Sequence, residues 1–148
     1  MREWHVAFGR YLICLACASS TACAPVQLSR DSMHRPVIDT ILSERSEAEL
    51  SGWLSYRGEI AIYDSLEALR LGLVYPYAVC GVVDPNLNLS TKQLDGRKVR
   101  VTVERFEWNS LSREAGDIPT RRMLNGQFVN NGCYGRYVIY VKQLTVEP

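Results

Sequence analysis

The sequence predicts a mainly β domain, a small barrel of five or six strands with one short helix, set behind an export leader and a flexible tether. Three observations carry that expectation. Runs rich in branched and aromatic residues recur along the second two-thirds of the chain, separated by Gly, Asp and Pro. Helical spacing is confined to one short stretch, Leu66, Leu69 and Leu73. The first two dozen residues have the order of a signal peptide: a charged start (Arg2, Glu3, His5, Arg10), a compact apolar run over Tyr11–Ala18, then small residues from Ser19 to Pro25. That apolar run is about 8 residues, against the roughly 20 of a spanning helix.

The end of the leader resembles a lipobox, in which small residues precede a cysteine that is lipidated and becomes the new N-terminus. Ser20-Thr21-Ala22-Cys23 is the best match, which makes Cys23 the expected lipid site and residues 1–23 the leader. Ordinary cleavage after Ala16-Cys17-Ala18 is the competing outcome, and it would leave Cys23 as a spare exported thiol. Of the five cysteines, Cys14 and Cys17 then leave with the leader and Cys23 takes the lipid. Cys80 and Cys133 remain, and two cysteines in an oxidising compartment pair. A redox role for them lacks a C-x-x-C spacing. A zinc site lacks ligands, since His34 is the one histidine after the leader, and no sequence feature calls for a cofactor.

The chain holds 17 Lys+Arg and 16 Asp+Glu, and losing Arg2, Arg10 and Glu3 with the leader leaves 15 of each sign. A neutral mature chain has no field to gather polyanions, so nucleic acid is not an expected partner. The basic cluster Arg97-Lys98-Val99-Arg100 reads as a solvated strand face, and Arg121-Arg122 as part of a solvated loop.

Residues 24–48 are expected to be a tether and lead-in. From Ala24 to about Ile38 there is no sustained apolar period, and Thr40–Leu50 is left as either helical or extended. The barrel domain is placed at residues 49–146. Leu50–Tyr56 and Glu59–Tyr63 read as two strands around Arg57-Gly58. Asp64, with Glu67 three residues on, has the form of a capping box that opens the helix, and Gly72 ends it. Tyr77–Val83 reads as a buried strand stopped by Asp84-Pro85. Asp95-Gly96 is a tight-turn signal before the longest strand, Arg97 to about Trp108. There Val99, Val101 and Val103 share a face, and a bulge near Glu104-Arg105 is expected to bring Phe106 and Trp108 onto it. Asn109–Asn125 reads as a long polar loop. Gln127–Cys133 and Arg136–Leu144 complete the domain, with Tyr137, Ile139 and Val141 inward.

This order of strands and helix looks like a small OB-like barrel. More specifically, Gly52-Trp53-Leu54, Ile62-Tyr63-Asp64-Ser65, Cys80, Leu94-Asp95-Gly96-Arg97-Lys98-Val99-Arg100-Val101 and Cys133 resemble a set of small bacterial exported or lipid-anchored proteins of uncharacterised function. The resemblance covers Leu50–Leu144 and implies a fold and a cell-envelope location, facing the periplasm or the cell surface. It transfers no catalytic residue, and fold alone does not settle function.

Nucleophilic chemistry has no histidine base in the body of the chain. The carboxylates available for acid–base work, Glu59, Asp64, Glu104 and Glu107, read better as caps or solvent-facing strand residues. The expectation is therefore a non-catalytic binding module of the envelope, with a protein (such as a secreted enzyme to be inhibited) or a glycan as partner, and a purely structural role as the alternative. Arginine and aromatic side chains favour contact surfaces. Trp108 with Arg113, Arg121 and Arg122 of the polar loop are the first candidate contact residues, and Tyr56 and Tyr140 on the barrel face are the second.

Overall fold

The computed structural model describes residues 36–148 apart from Gly58, Asn88 and residues 114–119. The leader, Cys23, His34 and most of the tether lie outside the described residues. Within them the chain runs α1 (Val37–Glu44), β1 (Glu47–Tyr56), β2 (Ile60–Tyr63), α2 (Leu66–Leu71), β3 (Ala78–Val83), β4 (Lys98–Glu107), β5 (Arg121–Leu124), β6 (Gln127–Asn130) and β7 (Tyr137–Val146).

Five strands close a barrel in the order β1-β2-β3-β7-β4, and β5-β6 form a separate two-stranded sheet. All barrel pairings are antiparallel except β3 with β7. Counting barrel strands alone, the order is 1-2-3-5-4, and the expected OB-like barrel is what forms. Alternation dictates it: Leu50 and Leu54 of β1, Val99, Val101 and Val103 of β4, and Ile139 and Val141 of β7 are each no more than 1% exposed and share one core. Closure needs a glycine where β3 meets β7. A Cβ on Gly81 would lie 2.0 Å from the Ile139 carbonyl oxygen, closer than any side chain tolerates.

The domain starts earlier than Glu49. Pro36 precedes α1, whose Ile38 and Leu42 are buried in the barrel core. Two distant residues hold this helix. The Asp64 carboxylate accepts from the backbone amides of Val37 and Ile38, each at 3.0 Å. The Arg105 guanidinium donates to the carbonyls of Leu42 (2.6 Å) and Ser43 (3.4 Å). Each charge sits at the helix end whose orphan groups and dipole favour it. Asp64 is therefore not the cap of α2. Ser65 takes that role, accepting from the Ala68 amide at 3.0 Å, and Gly72 ends the helix at φ 65° as expected.

Two further expectations change. The register shift lies between Thr102 and Val103, which face Gln143 and Val141, so the extra residue is Lys142 on β7 and not one of Glu104-Arg105. Phe106 and Trp108 need no inward turn, because they pack on a cluster outside the barrel with Val82, Leu124, Val129 and Val138. The polar loop also shrinks. Arg121–Leu124 is a strand paired with Gln127–Asn130 through Asn125 (φ 48°) and Gly126 (φ 76°), two successive positive φ values as in a type I′ hairpin turn. The hairpin covers β3 and β7 from outside, which is why Val138 is fully buried although it points away from the barrel axis.

The Cys80–Cys133 disulfide forms, with an S–S distance of 2.04 Å, and ties β3 to the turn that follows the hairpin. It is buried among Ala61, Tyr63, Ala68 and Ala78.

Candidate ligand groove

Where the hairpin meets the barrel, a cavity of about 390 Å³ opens between the β1–β2 turn, the end of β3 and β6. Tyr56 and Glu59 from around the β1–β2 turn, Asp84 from just after β3, and Gln127 and Phe128 of β6 line it. Two hydrogen-bonded ties set its width. Glu59 Oε1 accepts from the Asn130 backbone amide at 2.9 Å and from the Asn130 side-chain amide. Gln127 Nε2 donates to the Val83 carbonyl at 3.1 Å. Alternation along β6 places Val129 in the cluster below and Phe128 on the open face, and Gln127, on the Val129 side, reaches the groove at the start of the strand.

Phe128 is 55% exposed, unusual for so large an apolar side chain, and the Arg121 guanidinium stands 5.3 Å from its ring centroid. Arg121 Nε also donates to Asn130 Oδ1 at 3.4 Å, so Phe128, Arg121, Asn130 and Glu59 form one connected set. Burial pushes the Glu59 carboxyl above its ordinary pKa, opposed by the Asn130 amide bond and the Arg121 charge. Asp84 Oδ1 accepts from the Asn86 backbone amide at 2.9 Å and its side-chain amide at 2.8 Å. Tyr140 stands behind it. Desolvation first, then the charge and hydrogen-bonding influence of Asp84, raise its pKa.

The residues singled out from sequence separate accordingly. Tyr56 is a wall of the groove, and Tyr140 supports it through Asp84. Trp108 and Arg122 come together, at 5.3 Å from guanidinium carbon to ring centroid, but as packing: Arg122 is 5% exposed and Trp108 is half-buried in the outer cluster. Arg122 is thus not an exposed loop residue, because its place on β5 opposite Val129 turns it under the hairpin. Arg113 is exposed, next to Ser112, which bridges Met123 of β5. Arg121 serves the groove by orienting Phe128. Sequence reasoning missed Glu59, Asp84, Gln127 and Phe128 as one site, although the Asn125-Gly126 pair between apolar segments was a signal for the hairpin that builds it.

The basic cluster of β4 is compensated. Glu147 pairs with Lys98 (2.9 Å) and Arg100 (3.0 Å), and Arg100 also faces Glu49 at 3.6 Å. Among the described residues no group of three His, Cys, Asp or Glu side chains is placed to hold a metal ion, and no helix is long and apolar enough to cross a membrane. Comparison with known proteins finds no matching family model, curated protein or solved structure.

Proposed function

We propose that this chain is a non-catalytic binding module of a bacterial cell envelope, exported by its leader, anchored by lipid on Cys23, and recognising its partner through the groove between the β1–β2 turn and the β5–β6 hairpin. The groove is the observation that carries this reading. Its volume lies in the usual range for ligand pockets. It also sits against the second and third barrel strands, beside the first turn and the last inter-strand connection, where OB barrels receive ligands.

The carboxylates considered for acid–base work each have a structural partner, which supports binding without turnover. Asp64 caps α1, Glu104 pairs with Lys142 at 2.9 Å, Glu107 with Arg136 at 2.9 Å, and Glu59 holds Asn130. The short apolar leader and the small residues before Cys23 support export and anchoring.

One experiment tests both halves. A photo-crosslinking amino acid is placed at Phe128 or, as a control, at exposed Thr145 of the full chain in its host, and membrane fractions are collected from cells fed a palmitate analogue. The expected result is a labelled, membrane-bound chain that crosslinks from position 128 and not from 145. Equal crosslinking from both positions refutes the groove, and undiminished lipid label in a Cys23→Ser chain refutes the anchor.

A further inference from the structure

We infer that the groove receives a neutral, hydroxyl-rich oligosaccharide, which rests on the reading of the groove as the binding site and names its ligand class. Three features of the lining select that chemistry. First, among the described residues the lining includes the carboxylates of Glu59 and Asp84 and no Lys or Arg, so a phosphate or sulfate chain entering it meets like charge and finds no lining cation to replace its counterions.

Second, both carboxylates are already supplied with donors. Glu59 accepts twice from Asn130 and lies in the field of Arg121, while Asp84 accepts twice from Asn86. The Arg121 charge beside Glu59 offsets part of what the two carboxylates offer a lysine or arginine of a basic peptide, whose desolvation has to be repaid in full. Acceptor capacity remains, because both Asn130 bonds fall on Oε1 of Glu59, and a carboxylate offers about four lone-pair sites. Hydroxyl groups use such sites without bringing a charge into the groove.

Third, the rim presents Phe128, more than half exposed and steadied by Arg121, with Tyr56 among the residues that line the cavity. The C–H face of a sugar ring carries partial positive charge and packs on the negative face of an aromatic ring. Gln127, tied by its amide nitrogen to Val83, adds a planar amide beside that ring. An aromatic platform edged with oriented acceptors and free of net cation fits a polyol chain better than it fits a charged one.

Titration calorimetry of the purified full chain tests this with four probes at 0.15 M salt: maltohexaose, an N-acetylglucosamine tetramer, tetralysine and a ten-residue oligothymidylate. The expected result is binding of one or both neutral sugars, weakened about tenfold by Phe128→Ala and restored by Phe128→Trp. No sugar binding up to about 5 mM, or sugar binding indifferent to Phe128→Ala, overturns the inference. Tetralysine or the oligonucleotide binding in a Phe128-dependent way overturns the ligand class while leaving the groove as the site. If no probe binds but position 128 still crosslinks in cells, a protein partner replaces the glycan. If that crosslink is also absent, the groove reading itself falls. Release of reducing ends from a bound sugar overturns the non-catalytic reading and leaves the ligand class standing.

Discussion

Breaking the Cys80–Cys133 bridge is expected to cost this domain a large part of its stability. The bridge closes a loop with a sequence separation of 53 residues that contains β4, β5 and β6. Chain entropy for a loop of that length gives about 14 cal/mol/K, or about 4 kcal/mol at 25 °C. A domain of this size has roughly 5–15 kcal/mol in total, and 4 kcal/mol corresponds to a fall in Tm of roughly 15–30 °C. The assay is urea unfolding of the full chain, oxidised and under excess reductant without alkylation, with a Cys80→Ala/Cys133→Ala chain alongside. Cys80 and Cys133 are 6% and 1% exposed, so the double variant also loses buried sulfur, and its difference from the reduced parent isolates that packing loss. A loss below about 1 kcal/mol on reduction would show that the reduced unfolded ensemble is already constrained and refute the entropic account.

Arg122 carries a different kind of test. Its buried Nε has no hydrogen-bond partner among the described residues and its guanidinium stands over the Trp108 ring, so the side chain serves chiefly by filling space. Arg122→Ala is expected to lose about 1–3 kcal/mol, whereas Arg122→Met, similar in reach and uncharged, is expected to match or exceed the parent. Equal losses in the two variants, read by urea unfolding, would mean that the guanidinium has an essential charge partner. Glu147 sets an acid limit. Hydrogen bonds from Lys98, then Ser51 and Arg100, hold its carboxyl down at about 2. A depressed pKa contributes stability that is present above the unfolded value and lost as pH falls through the folded one, so the window runs from about 4.5 down to about 2. The urea midpoint of the parent should therefore drop further between pH 5 and pH 2 than that of Glu147→Gln, and parallel curves would refute the assignment.

What could be read in advance follows from how local each cause is. Val99, Val101 and Val103, or Tyr137, Ile139 and Val141, announce an inward face by strict alternation, because one side of a barrel strand must be dry. The disulfide followed from compartment and count. The sequence leaves helix α1 undecided between helical and extended, since it is only 8 residues long and its ends are held by Asp64 and Arg105, respectively 26 and 63 residues away from the groups they cap. The outer apolar layer was hidden for a related reason. Phe106, Trp108 and Val138 look misplaced on a one-layer barrel and make sense only once β5-β6 lies over them. The groove was least legible of all, because Glu59 and the Asn130 it holds are 71 residues apart and neither carries a motif.

That hairpin does two jobs, which bears on how the site can change: Leu124, Gln127 and Val129 share its covered face, and Phe128 is on the open one. Leu124 and Val129 face down and seal Val82 and Val138, so they are bound to the stability of the whole domain. Gln127 and Phe128 line the groove, and Phe128 is more than half exposed. Exposed positions tolerate substitution within about 0.5 kcal/mol, while buried ones do not. Phe128 can therefore change without disturbing the layer beneath it, as long as Gln127, Glu59 and Asn130 keep the hairpin docked. On the proposed reading of the groove as the binding site, a fold arranged this way separates recognition from stability. The same separation makes Phe128 a sharper probe of function than any core residue, because its loss should be felt in binding and scarcely in unfolding.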